Sequence, residues 1–330
     1  MEKNIISNII KKLKKLLFLL YKNKFEYYKK CTILLLYIFI LCNLKYKIKK
    51  KNLKVCICVI GKKENLYASE FVNHYKILGY DHIFIYDNND INDERFEDVI
   101  LSHISSGFVS IINFRGFRGK NDKPQFDAFY DCYEKNNKKY NWISFFDFDE
   151  FLELNIKKKN IKDFLGNHIF KKCANIKINW LMYSDNDQIY YENKTLKERF
   201  TKPILNDSLN QIIKSTVRGN LKLNYWKNMG NPHSSNNNRI SCSSSGKIID
   251  SKKVVNSPPD FKYALLKHYS TKTIEEYCLK LLRGRSDTQL KLDKKTLIDS
   301  FNYFFHRNKK TKEKLNYISK IFNLEMQLLF

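Results

Sequence analysis

Three carboxylates, Asp147, Asp149 and Glu150, sit inside the apolar stretch "NWISFFDFDEFLEL" at residues 141–154. Alternate residues of a strand project to one face, so Asp147 and Asp149 at the end of a buried strand would converge on one cation. All-oxygen ligation suits a hard ion, Mn2+ or Mg2+, of the kind that also binds phosphate oxygens. Such an ion offsets the charge of a diphosphate leaving group as a Lewis acid. A second acidic cluster, Asp87 to Asp90 in "DHIFIYDNND", closes another apolar run. The plainer reading of both clusters is acids at strand ends, or an Asx-rich turn, facing water.

The surrounding pattern supplies elements able to place these acids. "LKVCICVIG" is a continuous apolar run that predicts a buried strand, followed by the helical spacing of "ENLYASEFVNHYKILGY", which Gly79 would stop. "DHIFIYD" reads as a strand, "ERFEDVILSHI" as a helix, "GFVSIINF" as a strand, "KPQFDAFYDCYEKNNKKY" as a helix and "NWISFFDF" as the fourth strand. This alternation predicts an α/β fold with a mostly parallel sheet and helices on both faces. Ligands of such sheets bind beyond the carboxyl ends of the strands, where both acidic clusters fall. After about residue 170 the rhythm weakens. "ANIKINWLMY" reads as a strand and "TIEEYCLKLLRG" as a helix, before a Lys-rich helical tail.

With 330 residues, 43% of them apolar and 15% aromatic, the chain can build a large core, which excludes wholesale disorder. The formal net charge of +26 raises nucleic acid as a partner. Half of it, however, comes from residues 1–54, with 15 Lys against 2 acids. There the basic residues flank an uncharged run of 14, "CTILLLYIFILCNL", which fits a membrane surface better than a nucleic-acid groove. As a helix that run covers about 21 Å, against a hydrocarbon core of about 30 Å. Residues 1–50 therefore read as a short anchor or an interfacial helix, with either a cytoplasmic-face or a lumenal location open. Eight cysteines show neither CxxC nor zinc-finger spacing, so buried thiols in a reducing compartment are the default reading, with disulfides in a secretory lumen the open alternative.

Six segments, "KKENLYASEFVNHYKILGYDHIFIYDNNDIN", "NWISFFDFDEFLEL", "INWLMYSDNDQ", "LKERF", "KSTVRGN" and "LKHYSTKTIEEYCLKLLRG", stand in an order and spacing that resembles glycosyltransferase family 92 and its bacterial family-2-like relatives. The resemblance covers about residues 53–285. It implies a GT-A domain over 51–285, a nucleotide-sugar donor (usually a UDP-sugar), a divalent metal, an inverting transfer and a glycan or glycolipid acceptor. Asp147 and Asp149 match its metal and diphosphate motif, and His268 the place of a C-terminal metal ligand. Lys62, Glu64 and Asn65 match the donor-pocket loop after the first strand; Tyr86, Asp87 and Asn88 match the nucleoside-contacting end of the second. Lys272, Lys280 and Arg283 lie where they could cover the diphosphate, or they form a solvated helix face. Lys62 and Lys63 stand where relatives often carry Arg, which weakens a bidentate phosphate clamp.

An inverting transfer needs a base near the acceptor hydroxyl, and Asp185, then Asp187, in "YSDNDQ" are the candidates. Two alternatives compete. A haloacid-dehalogenase-like phosphatase also ends a strand in Asp-x-Asp, but Phe151 replaces the Thr or Val it wants. A non-enzymatic nucleic-acid binder would need basic residues interleaved with aromatics around a groove.

Overall fold

The computed structural model describes residues 31–41, 53–118, 123–157, 160–221, 240–284 and 293–323. The chain divides into two units, Met1–Asn52 and Leu53–Phe330. In the first, residues 31–41 are helical and expose Leu35, Leu36 and Phe39. Among the described residues no helix is long and apolar enough to cross a membrane. The basic residues expected on either side of this helix lie outside the described residues.

The second unit begins with the expected alternation: β1 (Val55–Gly61), α1 (Asn65–Ile77), β2 (His82–Asp87), α2 (Glu97–Ser105), β3 (Val109–Asn113), α3 (Pro124–Asn136) and β4 (Trp142–Phe145). β1 explains why helices cover both faces. Val55, Ile57 and Val59 pack into one core cluster with Phe71 and Val72 of α1, while Cys56, Cys58 and Ile60 pack into another with Ala128, Phe129 and Cys132 of α3. A strand apolar on both sides is stable only between two such layers.

Beyond β4 the chain adds β5 (Glu150–Leu154), β6 (Asn175–Met182), β7 (Ile213–Arg218), β8 (Ser241–Ser243), β9 (Ile248–Ile249) and β10 (Ala264–His268). The main path of the sheet runs β3-β2-β1-β4-β7-β6-β10-β5. β1, β2, β3 and β4 are parallel neighbours, β6 runs parallel to β10, and β7 and β5 run against their neighbours. The carboxyl ends of β1, β2, β4, β6 and β10 therefore share one edge with the amino ends of β5 and β7. That edge is where the sequence places its acids.

Three helices follow: α4 (Ile274–Arg283), α5 (Lys294–Phe305) and α6 (Lys312–Phe322). They bury Tyr277, Leu281, Phe301, Phe304, Leu315 and Ile318 in a core of their own, so the Lys-rich tail is a helical layer built around α4.

Candidate active site

The strand expected over "NWISFFDF" ends three residues early, before the acids. β4 stops at Phe145, and residues 146–149 form a turn before β5. Glu150 N donates to Asp147 O at 3.0 Å, and Asp147 N donates to the Glu150 carboxylate at 2.9 Å. Phe146 and Phe148 are buried. The Phe148 ring stacks on Phe96 at 5.3 Å, over Gly61, where a Cβ would lie 2.5 Å from it. Gly61 is thus required so that this ring can cross the end of β1.

The turn separates the two aspartates instead of stacking them on one face. Asp147 accepts from Gln125 Nε2 at 2.8 Å and from Lys214 Nζ at 2.7 Å. Lys214, fully buried at the start of β7, also lies 3.5 Å from Glu150. Burial pushes the Glu150 carboxyl well above the usual range, against the pull of Lys214. Burial works the other way on Lys214, but Asp147 and Glu150 together raise it. One buried cation thus serves two carboxyl groups, Asp147 at 2.7 Å and Glu150 at 3.5 Å.

Asp149 has different partners. Its side chain is 7% exposed and faces Lys280 Nζ at 3.0 Å, Lys272 Nζ at 3.7 Å and His268 Nε2 at 3.5 Å. Burial alone would raise this carboxyl, yet Lys280, Lys272 and His268 hold it well below the usual range. Burial lowers His268, keeping its imidazole neutral at pH 7, and its Nδ1 has no hydrogen-bond partner among the described residues. An ion held largely by phosphate and water needs only one or two side-chain ligands. Asp149 and His268 suit that role, an ionised hard oxygen beside a neutral imidazole. Among the described residues no group of three His, Cys, Asp or Glu side chains is arranged to hold a metal.

The α4 helix brings Lys280 and Arg283 inward, not to solvent. Thr273 and Glu276 form a reciprocal capping box at its start. Glu276 also accepts from Arg199 at 2.7 and 2.9 Å and from Tyr67 OH at 2.7 Å, all buried. Arg283 donates to the carbonyls of Lys62 and Lys63 at 2.6 and 2.7 Å and pairs with Glu64. Its guanidinium clamps the loop after β1 onto α4, and it is not free to grip phosphate. Lys272 is buried above the Tyr67 ring at 4.4 Å, in a left-handed conformation (φ 53°). Lys62 is paired with Asp90 at 3.0 Å, and Asn65, the first residue of α1, donates its backbone N–H to the Glu94 carboxylate at 2.9 Å and its side-chain amide to Arg95 O at 2.8 Å.

The β2 end is tightly organised. Asp87 accepts from Arg115 at 2.7 Å and from Asn89, and Asn88 donates to the carbonyls of Phe114 and Phe117. Tyr86, expected to touch a nucleoside, is a core residue whose hydroxyl donates to Asp131 at 2.7 Å.

Asp185 and Asp187 differ sharply. Asp185 is 1% exposed, accepts from Lys314 Nζ at 2.5 Å, and its backbone N–H donates to Asn308 at 2.7 Å. That buried pair anchors the tail to the end of β6 and leaves no carboxylate facing an acceptor. Asp187 keeps half its side-chain surface (52%) and has Lys202 3.6 Å away. Its loop lies beside His268, because Tyr183 N donates to His268 O at 3.2 Å.

One pair of cysteines departs from the default thiol reading and takes the disulfide alternative. Cys173 and Cys242 form a disulfide, brought together as β6 pairs with β8, while Cys56, Cys58, Cys132 and Cys278 stay reduced and buried. A cavity of about 370 Å3 lined by Lys171, Lys172 and Arg218 lies at the opposite edge of the sheet, where β7 ends. It is remote from the acids and is not the site. Gln125, Arg115, Arg199 and Lys314 carry no sequence signal of their roles. Glu276 does: Thr-x-x-Glu is a capping-box pattern.

The family model that matches the chain is described as glycosyltransferase family 92 and covers residues 51–277. No curated protein matches. Among solved structures, the chain is similar to that of S. aureus TarS, at 11% identity over 84% of this chain and 50% of that one, with a TM-score of 0.37. It thus spans half the length of that protein. It is also similar to S. aureus TarS 1–349 in complex with UDP (11% identity, 81% of this chain, 78% of that one, TM-score 0.36) and with UDP-GlcNAc (11%, 82%, 80%, TM-score 0.33).

Proposed function

Because the chain belongs to glycosyltransferase family 92 and is a glycosyltransferase, we propose that it moves a sugar from a nucleotide-sugar donor, a UDP-sugar, to a glycan or glycolipid hydroxyl with inversion. The phosphatase alternative falls with the family assignment. The observation that carries the donor reading is the grouping of Asp149, His268, Lys272 and Lys280 at the edge shared by five strand ends.

In this reading Lys272 and Lys280 donate to the diphosphate and stabilise its growing charge as the sugar leaves. Arg283 and Glu64 fix the loop after β1 against α4. Gln125 and Lys214 orient Asp147 at the mouth of the turn. Asp149 and His268 would hold Mn2+ or Mg2+, which when bound supplies further charge neutralisation to the diphosphate. Asp187, the exposed acid of the β6 loop, takes the proton from the acceptor hydroxyl as that oxygen attacks the anomeric carbon. Asp185 holds the loop from beneath.

The basic and apolar composition of residues 1–50 supports a membrane-surface location in this reading, and the Cys173–Cys242 bond favours an oxidising lumen over the cytoplasmic face. A thermal-shift screen of UDP-, GDP- and CMP-sugars with and without Mn2+ tests the donor assignment, since a ligand of the native state raises stability. A UDP-sugar should raise the melting temperature. No shift with any of them contradicts the proposal.

A further inference from the structure

We propose that the cavity where β7 ends and β6 and β8 begin is a second anion site, which binds a phosphomonoester carrying a small apolar body. The cavity measures about 370 Å3, a size that suits a small molecule. Its lining divides by chemistry. Lys171, Lys172 and Arg218 supply cations, while Ala174, Leu221 and Ile240 supply an apolar wall. Among the described residues no carboxylate pairs with any of these three cations.

Arg218 is the fixed centre of the site. Its Nε donates to Cys173 O at 2.9 Å and its Nη2 to Phe170 O at 2.8 Å, and the guanidinium lies 4.3 Å from the centre of the Trp142 ring. Cys173 is in turn tied to Cys242 of β8. These contacts orient the guanidinium without neutralising it, because carbonyls and a ring face carry no net charge. Nη1 has no hydrogen-bond partner among the described residues. Burial pulls the Arg218 pKa down with no carboxylate to raise it, so an incoming anion would stabilise the charged form. Lys171 and Lys172 are exposed and can close on the same anion. A phosphomonoester carries about −1.5 to −2 charges at pH 7 and three acceptor oxygens, which matches three unpaired cations better than a carboxylate does. The site lies at the opposite edge of the sheet from Asp149, so it stands whether or not the donor reading holds.

The test titrates phenyl phosphate into the full chain and follows its 31P line width, with and without saturating UDP and Mg2+. The wild type should bind saturably in both conditions. Lys171→Gln with Lys172→Gln, at exposed positions, should weaken binding by about threefold or more, the value of two exposed charge contacts. Arg218→Met should weaken it at least about tenfold, since it removes the buried donor. If Arg218→Met does not fold, the lysine pair decides. Flotation with phosphatidic acid vesicles then separates two sources of the phosphate. Vesicle binding that drops in the lysine double variant marks a lipid headgroup, and unchanged vesicle binding marks a soluble ligand. No saturable binding overturns the inference, as does equal binding by the wild type and a folded lysine double variant. Binding that this variant keeps and UDP displaces belongs to the donor site and overturns it too.

Discussion

Lys280 reaches across 131 positions of sequence to place its ammonium 3.0 Å from the Asp149 carboxylate. The contact joins α4 to the turn after β4. The Arg283–Glu64 pair, one turn later, joins the same helix to the loop after β1. The site is therefore closed by a helix whose own position depends on the tail packed behind it.

That dependence predicts the behaviour of Asp185. Both members of the Asp185–Lys314 pair are at most 1% exposed. Removing one partner leaves a buried, uncompensated charge, which costs about 3–5 kcal/mol. Urea unfolding of Asp185→Asn should show that loss, and Asp185→Asn with Lys314→Met should recover part of it. A catalytic base would behave differently, losing activity at unchanged stability. Asp187→Asn should do so.

The buried His74 predicts an acid-side loss of stability. Its Nε2 lies 2.9 Å from Leu152 O, and Lys197 Nζ lies 2.5 Å from Nδ1. Burial, then the Lys197 charge, push it down to about 3. The unfolded chain takes up a proton near pH 6.5, whereas the folded protein waits until about pH 3. Stability contributed by neutral His74 is thus complete above pH 6.5. It falls as the pH drops from there, by at most about 1.4 kcal/mol per pH unit. Chemical denaturation from pH 7 to 4 should show that slope, and His74→Gln should flatten it.

Cys173 and Cys242 are 69 positions apart, and both are buried. In the chain-entropy account a cross-link over such a loop contributes about 4 kcal/mol. Cys173→Ser should lower the melting temperature, and reductant should lower the wild type toward it while leaving the variant unmoved. Equal melting of wild type with and without reductant contradicts the bond.

The first half of the fold was legible because each strand and helix there is a local apolar pattern: β1, α1, β2, α2, β3 and α3 all follow their sequence periods. β5, β7 and β10 were harder, since strands of five or six residues with only two or three apolar side chains say little about partners that lie far along the chain. β10 pairs with β5 across more than a hundred residues, and "YALLKH" has no mark of it. Phe-Asp-Phe-Asp alternates as a strand would, yet it turns, with the Phe148 ring lying over Gly61, where a Cβ would meet it. Which side of α4 faces inward is decided by docking, so Lys280 and Arg283 could equally be read as solvated. The residue types at Asp149 and His268 were readable. The division of labour between Asp147, bound to Lys214, and Asp149, bound to Lys280, was not.

The most direct test of the account is calorimetric titration of UDP, in the presence of Mn2+, into the wild-type chain and into Asp149→Asn. The wild type should bind, and Asp149→Asn, if folded, should bind at least about tenfold more weakly, the value of one lost charged interaction. A wild type that does not bind UDP, or a folded Asp149→Asn that binds it equally well, would contradict the assignment of this site to a nucleotide-sugar donor.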